Sequence, residues 1–169
     1  MGQSLPKPGL RPFLPADVPL LAEIFRASIE EMTGEDYSEA QREAWASKAD
    51  DESFAKRLSE ALTLVATMDG SPLGFIALKD NTHIDFFFVH PAVAGQGVGT
   101  MLYEAIEKLA TARAATRLTA DVSDTALGFF QKRGFQPQRR NTVTIGDEWL
   151  ANTTMDKPIG PAKNGTVAS

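Results

Sequence analysis

His83-Ile84-Asp85-Phe86-Phe87-Phe88-Val89-His90-Pro91 runs into Ala92-Val93-Ala94-Gly95-Gln96-Gly97-Val98-Gly99-Thr100, and this junction decides the fold. Phe86–Val89 is a solid apolar run, the pattern of a strand covered on both faces, and Pro91 ends it. The glycine turn then opens an amphipathic segment that predicts a helix over 98–115. A strand that passes through glycines into a helix makes an anion site. The first helical turn has unpaired N–H groups, and the macrodipole adds about half a positive charge there. Glycine lets a phosphate reach the backbone with no Cβ in the way. Gly97, Gly99 and Thr100 supply such a site, with the Thr100 hydroxyl as a further donor.

Three nucleotide readings compete for the turn. A P-loop requires Gly-Lys-Ser/Thr, and no lysine lies here. A dinucleotide fingerprint requires G-x-G-x-x-G after the first strand of a βαβ unit, whereas the third glycine position falls on Thr100 and a hairpin precedes the strand. The third is the pyrophosphate of coenzyme A. A turn that binds nothing is the alternative to all three.

Upstream, Asp17 predicts a helix N-cap for 18–32, with Leu20, Leu21, Ile24, Phe25 and Ile29 on one face. Ser38 predicts the start of a second helix through Trp45, and Phe54, Leu58 and Leu62 mark a third over 53–62. The period then changes to that of strands over 63–68 and 73–79, around the turn Asp69-Gly70-Ser71-Pro72. Downstream come a strand over 118–122, a helix capped by Ser123 or Asp124 and stopped by Gly134, and a hairpin of 142–145 and 149–155 across Gly146-Asp147. The order predicts one α/β domain over 10–156, with a mixed, mostly antiparallel sheet of six to seven strands flanked by helices. Residues 1–9 read as a loose arm and 157–169 as a frayed tail.

Composition narrows the chemistry. The chain has 169 residues, 43% of them hydrophobic and 23% charged, the makeup of a single domain with a real core. No apolar run approaches the ~20 residues of a membrane span, and the N-terminus lacks a secretory pattern, so a cytoplasmic location is expected. With no cysteine and only His83 and His90, no thiol nucleophile and no metal site are expected. A net charge of −5 argues against nucleic acid and against membrane surfaces as partners.

Phe88-Val89-His90-Pro91 followed by Gly95-Gln96-Gly97-Val98-Gly99-Thr100 resembles the acetyl-CoA motif of the GNAT superfamily of N-acetyltransferases: a strand ending V-x-P, then Arg or Gln, then x-x-G-x and Gly or Ala, then a helix. Ser123-Asp124-Thr125-Ala126-Leu127-Gly128-Phe129-Phe130-Gln131-Lys132-Arg133-Gly134-Phe135 is similar to the superfamily's N-x-x-A-x-x-x-Y-x-K-x-G-F. The resemblance spans roughly 10–156 and implies acetyl-CoA as cosubstrate. Phe88 and Val89, the turn Gly95, Gln96, Gly97, Val98, Gly99 and Thr100, and Ser123, Phe129 and Lys132 would hold it. Two departures stand out. Ala94 replaces the motif's Arg or Gln, removing one pyrophosphate contact. Phe130 replaces a tyrosine that protonates the leaving thiolate in many members.

The resemblance implies direct attack of an amine on the thioester. A protonated amine must first lose a proton, and in the superfamily the base is often a carboxylate on the strand before the turn. Asp85 is a charge inside an apolar strand, and burial would tune it toward such a role. Asp85 is therefore the expected base, with His83 as its partner or substitute and Ser123 as a contact to the thiolate or simply a helix cap. Strict alternation would place His83, Asp85, Phe87 and Val89 on one face. Tyr37, Trp45, Asn141 and Trp149 are the pocket candidates, with core packing as their other reading. The expected acceptor is a primary amine of a small molecule or peptide, and homodimerisation is left open. A non-catalytic acyl-CoA sensor or an interaction domain of the same fold is the alternative.

Overall fold

The computed structural model describes residues 8–160. Seven strands form one sheet: β1 (Gly9–Pro12), β2 (Leu62–Met68), β3 (Ser71–Lys79), β4 (His83–Val89), β5 (Arg117–Ser123), β6 (Gln136–Ile145) and β7 (Glu148–Pro158). Their order is β1-β2-β3-β4-β5-β7-β6. Only β4 and β5 pair in parallel; every other neighbour is antiparallel, so the expected mixed, mostly antiparallel sheet is what forms. The expected bounds of 10–156 fall inside the sheet, since Gly9 belongs to β1 and Lys157 and Pro158 to β7. Pro8, Ile159 and Gly160 flank the sheet, and the remainder of the expected arm and tail, 1–7 and 161–169, lies outside the described residues.

The helices α1 (Val18–Met32), α2 (Glu39–Ala46) and α3 (Glu52–Glu60) cover one face; α4 (Val98–Ala112) and α5 (Leu127–Lys132) cover the other. On the first face Leu21, Phe25 and Ile29 of α1 meet Phe54, Phe75 and Phe86. The rings pack edge to face, Phe25 against Phe54 at 5.3 Å and Phe54 against Phe86 at 5.3 Å, the geometry aromatic quadrupoles prefer. On the second face Leu102 and Ile106 of α4 pack on Ile76 of β3 and Leu118 of β5.

Local chemistry sets most boundaries. Ser38 caps α2 by accepting the Gln41 N–H, while the Gln41 side chain accepts the Ser38 N–H, a capping box. Asp17 stands at the N-cap position of α1 as expected, but its side chain does not cap: its carboxylate accepts the Leu14 N–H at 2.8 Å and both terminal nitrogens of Arg11 at 2.7 and 2.8 Å. Leu20, expected on the apolar face, is exposed. Leu62 starts β2 rather than ending α3. The β2–β3 turn is only Asp69-Gly70, both at positive φ, as a two-residue hairpin requires, so Ser71 and Pro72 belong to β3. Gly146-Asp147 turns the last hairpin as expected.

Candidate active site

The site begins at a fork in the sheet. β4 and β5 share two rungs, His83↔Thr119 and Ile84↔Ala120, and then diverge. At the same level β4 bulges. Ile84 pairs with Leu78 and Phe86 with Ala77, so Asp85 has no partner on β3. The extra residue breaks alternation. Ile84 stays in the α4 core, while Phe86 moves to the α1 core. Asp85 therefore does not share a face with Phe87 and Val89. It reaches a cleft with Phe86 and Phe88, where both its oxygens accept from Arg57 of α3, at 2.9 and 3.0 Å. The Arg57 guanidinium also lies 4.3 Å over the Phe86 ring.

Three contiguous cavities follow the fork. One of about 740 Å³ runs along the glycine turn, lined by Phe88, Val89, Gly95, Gly97, Thr100 and Phe129 among others. One of about 380 Å³ lies on the α2–α3 side and includes Tyr37, Trp45, Arg57, Asp85 and Asp121. A third, about 170 Å³, shares Phe87, Phe88 and Phe130 with the first, and Asp85, Asp121 and Ser123 with the second. The fork thus joins the turn to the cleft.

The turn is bare backbone. Gly95 and Gly97 have φ of +78° and +88°, and apart from each glycine and its chain neighbours no heavy atom lies within 4 Å of where either would carry a Cβ. Gly97 immediately precedes α4, so the helix's free first-turn amides face the same space. Val98, expected at the cofactor, lines none of these cavities, because its side chain is in the core. The Gln96 amide folds back 3.5 Å from the Ala92 carbonyl and lines none of these cavities. Lys132 lines the large cavity. Arg133, which the sequence did not single out, is held there too. Its guanidinium stacks 3.4 Å over the Phe129 ring and donates to Thr100 Oγ at 2.6 Å and to the Phe129 carbonyl at 3.0 Å. Open glycines, helix amides and one fixed guanidinium fit a pyrophosphate.

The other expected residues divide. Ser123 lines the fork, and its Oγ accepts the Ala126 N–H at 3.2 Å, which leaves the hydroxyl proton free. The turn delays α5 to Leu127, later than expected. His83 does not meet Asp85; its Nδ1 lies 2.8 Å from Thr119 Oγ at the closed end of the fork, and it lines none of the cavities. Phe130 is buried and closes the fork floor. Tyr37, between α1 and α2, reaches β7 and the end of β5: its hydroxyl donates to the Ala151 carbonyl at 2.7 Å and accepts the Asp124 N–H at 2.9 Å, and burial pushes its pKa up. Asn141 does not line the cleft, and Trp149 is 64% exposed, neither core nor pocket. Asp121, also missed from sequence, faces the cleft from β5. Among the described residues no group of three or more His, Cys, Asp or Glu is arranged to hold a metal ion, and no helix is long and apolar enough to cross a membrane.

A forked sheet whose open end meets a glycine turn at a helix start is the architecture of an acetyl-CoA-dependent acetyltransferase. The family model described as the acetyltransferase (GNAT) domain matches residues 33–158, and the chain belongs to that family. The chain is 30% identical over 146 residues to the uncharacterized N-acetyltransferase YafP of Escherichia coli K12, covering 86% of this chain and 93% of that protein. A crystal structure of a GCN5-related N-acetyltransferase from Rhodopseudomonas palustris is 56% identical, with a TM-score of 0.87 over 94% of this chain and all of the other. The PaiA N-acetyltransferase of Thermoplasma acidophilum, solved with coenzyme A, shares the fold at 21% identity and a TM-score of 0.74, over 90% of this chain and 99% of that one.

Proposed function

We propose that this chain transfers the acetyl group of acetyl-CoA to a primary amine of a small molecule or peptide by direct attack within the fork. The observation that carries the proposal is the continuity of the glycine-turn cavity with a cleft holding the carboxylates Asp85 and Asp121. The turn amides and Arg133 bind the pyrophosphate of the cosubstrate, and Phe88 and Val89 flank its pantetheine arm. Its thioester supplies the activated acyl group. The amine enters past Trp45 and Arg57 and gives up a proton to a carboxylate at the fork; an alkyl ammonium has a pKa of about 10, so it arrives charged. Phe130 has no proton to give. The Ser123 hydroxyl contacts the leaving sulfur, and a thiol with a pKa of about 8.5 leaves with little assistance.

Two measurements test this reading. Acetyl-CoA should raise the melting temperature, and at least one amine of a broad panel should release free thiol from acetyl-CoA. The apolar Phe130 favours a second reading, an acyl-CoA sensor. Thermal stabilisation with no thiol release from any amine would select the sensor, and absence of stabilisation would reject both.

A further inference from the structure

Asp85 and Asp121 are the first residues beyond the last rung, Ile84↔Ala120, on the two arms of the fork. They differ in what already occupies them. Both oxygens of Asp85 are engaged by Arg57. Asp121 is exposed on the cleft face of β5 and forms no ion pair with any described residue.

Asp121 is nevertheless held in place. Arg139 Nε donates to Asn141 Oδ1 at 2.9 Å. A guanidinium can only donate, so this contact fixes which end of the Asn141 amide is oxygen. The other end, Nδ2, donates to Thr154 Oγ1 at 2.8 Å and to Asn152 Oδ1 at 2.9 Å. Thr154 therefore spends its single proton on Asp121 Oδ1, at 2.6 Å. The relay runs one way, from Arg139 through Asn141 and Thr154, and ends on one oxygen of the carboxylate. The second oxygen, Oδ2, accepts from no described residue.

We infer that Asp121 is the proton acceptor for the attacking amine, while Asp85 and Arg57 form a neutral pair that shapes the cleft; this rests on the transferase reading above. The ammonium passes one proton to Asp121 Oδ2. The freed lone pair forms the C–N bond as the C–S bond breaks, and the second nitrogen proton goes to the departing sulfur, giving the thiol. Asp121 then returns its proton to solvent through the open cleft. Thr154 and Asn141 are positioning residues.

The test compares wild type, Asp121→Asn, Asp85→Asn, Thr154→Val and Thr154→Ser, using acetyl-CoA with each amine that releases thiol. Asp121→Asn should lower kcat about 100-fold or more at neutral pH, the scale of a lost general base, with acetyl-CoA affinity unchanged by calorimetry. Its deficit should shrink as pH rises toward the pKa of the amine, where the free base needs no acceptor. Asp85→Asn should lose turnover by a factor independent of pH. Thr154→Val should show a smaller loss that Thr154→Ser restores. If Asp121→Asn turns over like wild type, or its deficit is the same at every pH, the assignment falls while the transferase reading stands. If wild type releases no thiol with any amine, the transferase reading itself falls, and this assignment with it.

Discussion

Arg133 brings a guanidinium to the glycine turn from a distant part of the chain. Ala94 lines the turn with no charge to offer, yet a guanidinium reaches the same cavity from the end of α5, held by Thr100 and the Phe129 ring. Losing one charge-assisted hydrogen bond costs about 1.5–3 kcal/mol. Arg133→Ala should therefore weaken acetyl-CoA binding by about tenfold or more in titration calorimetry, with the effect fading at high salt. Acetyl-pantetheine, which lacks the pyrophosphate, should be used equally well by both proteins. The sequence reading passed over Arg133 because its significance lies in a contact 33 positions away in the chain, which no local pattern encodes. Asp121 was missed for the same reason: its neighbours Thr154 and Asn141 lie on strands that meet only in the finished sheet.

Among the elements, α4 and its turn were the most legible, because glycine, proline and helical period all act within a few residues. Gly97 requires its positive φ, and a non-glycine residue there costs about 1–2 kcal/mol. Gly97→Ala should lower urea stability by that order and should also weaken acetyl-CoA binding, since the new methyl occupies the open side of the turn. The capped start of α2 and the turns at Asp69-Gly70 and Gly146-Asp147 were legible on the same grounds. Strand β1 was not. It is four residues long, ends in Pro12 and exists only by pairing with β2. The first half of β6, from Gln136 to Arg140, is exposed and so shows no apolar alternation to read. The bulge at Asp85 is the instructive failure. Period-two reasoning assigned it to the face of Phe87 and Val89, but one unpaired residue inverts every assignment on one side of it.

For the molecule as a whole, acid should be destabilising through identifiable groups. Hydrogen bonds from Arg11 hold Asp17 below the usual carboxylate range. Burial alone would raise Glu107, but hydrogen bonds from Lys157 and Tyr103 outweigh it and lower that group as well. A carboxylate with a lowered folded-state pKa contributes its stability above the unfolded value, about 4, and loses it as pH falls through the folded one. Asp17→Asn should thus reduce stability at pH 7 and flatten the decline below pH ~4, as read from urea midpoints across pH. The fork has a consequence for cooperativity. With two rungs between them, β1–β4 and β5–β7 are nearly separate sheets. The ties across the seam are the buried cluster that α4 shares with Ile76 on one side and Leu118 on the other, and the Tyr37 hydroxyl clasped by Ala151 and Asp124. The seam proposed to take the cosubstrate is therefore also the place where the sheet has fewest rungs, and a ligand seated there is expected to act as mortar between two halves.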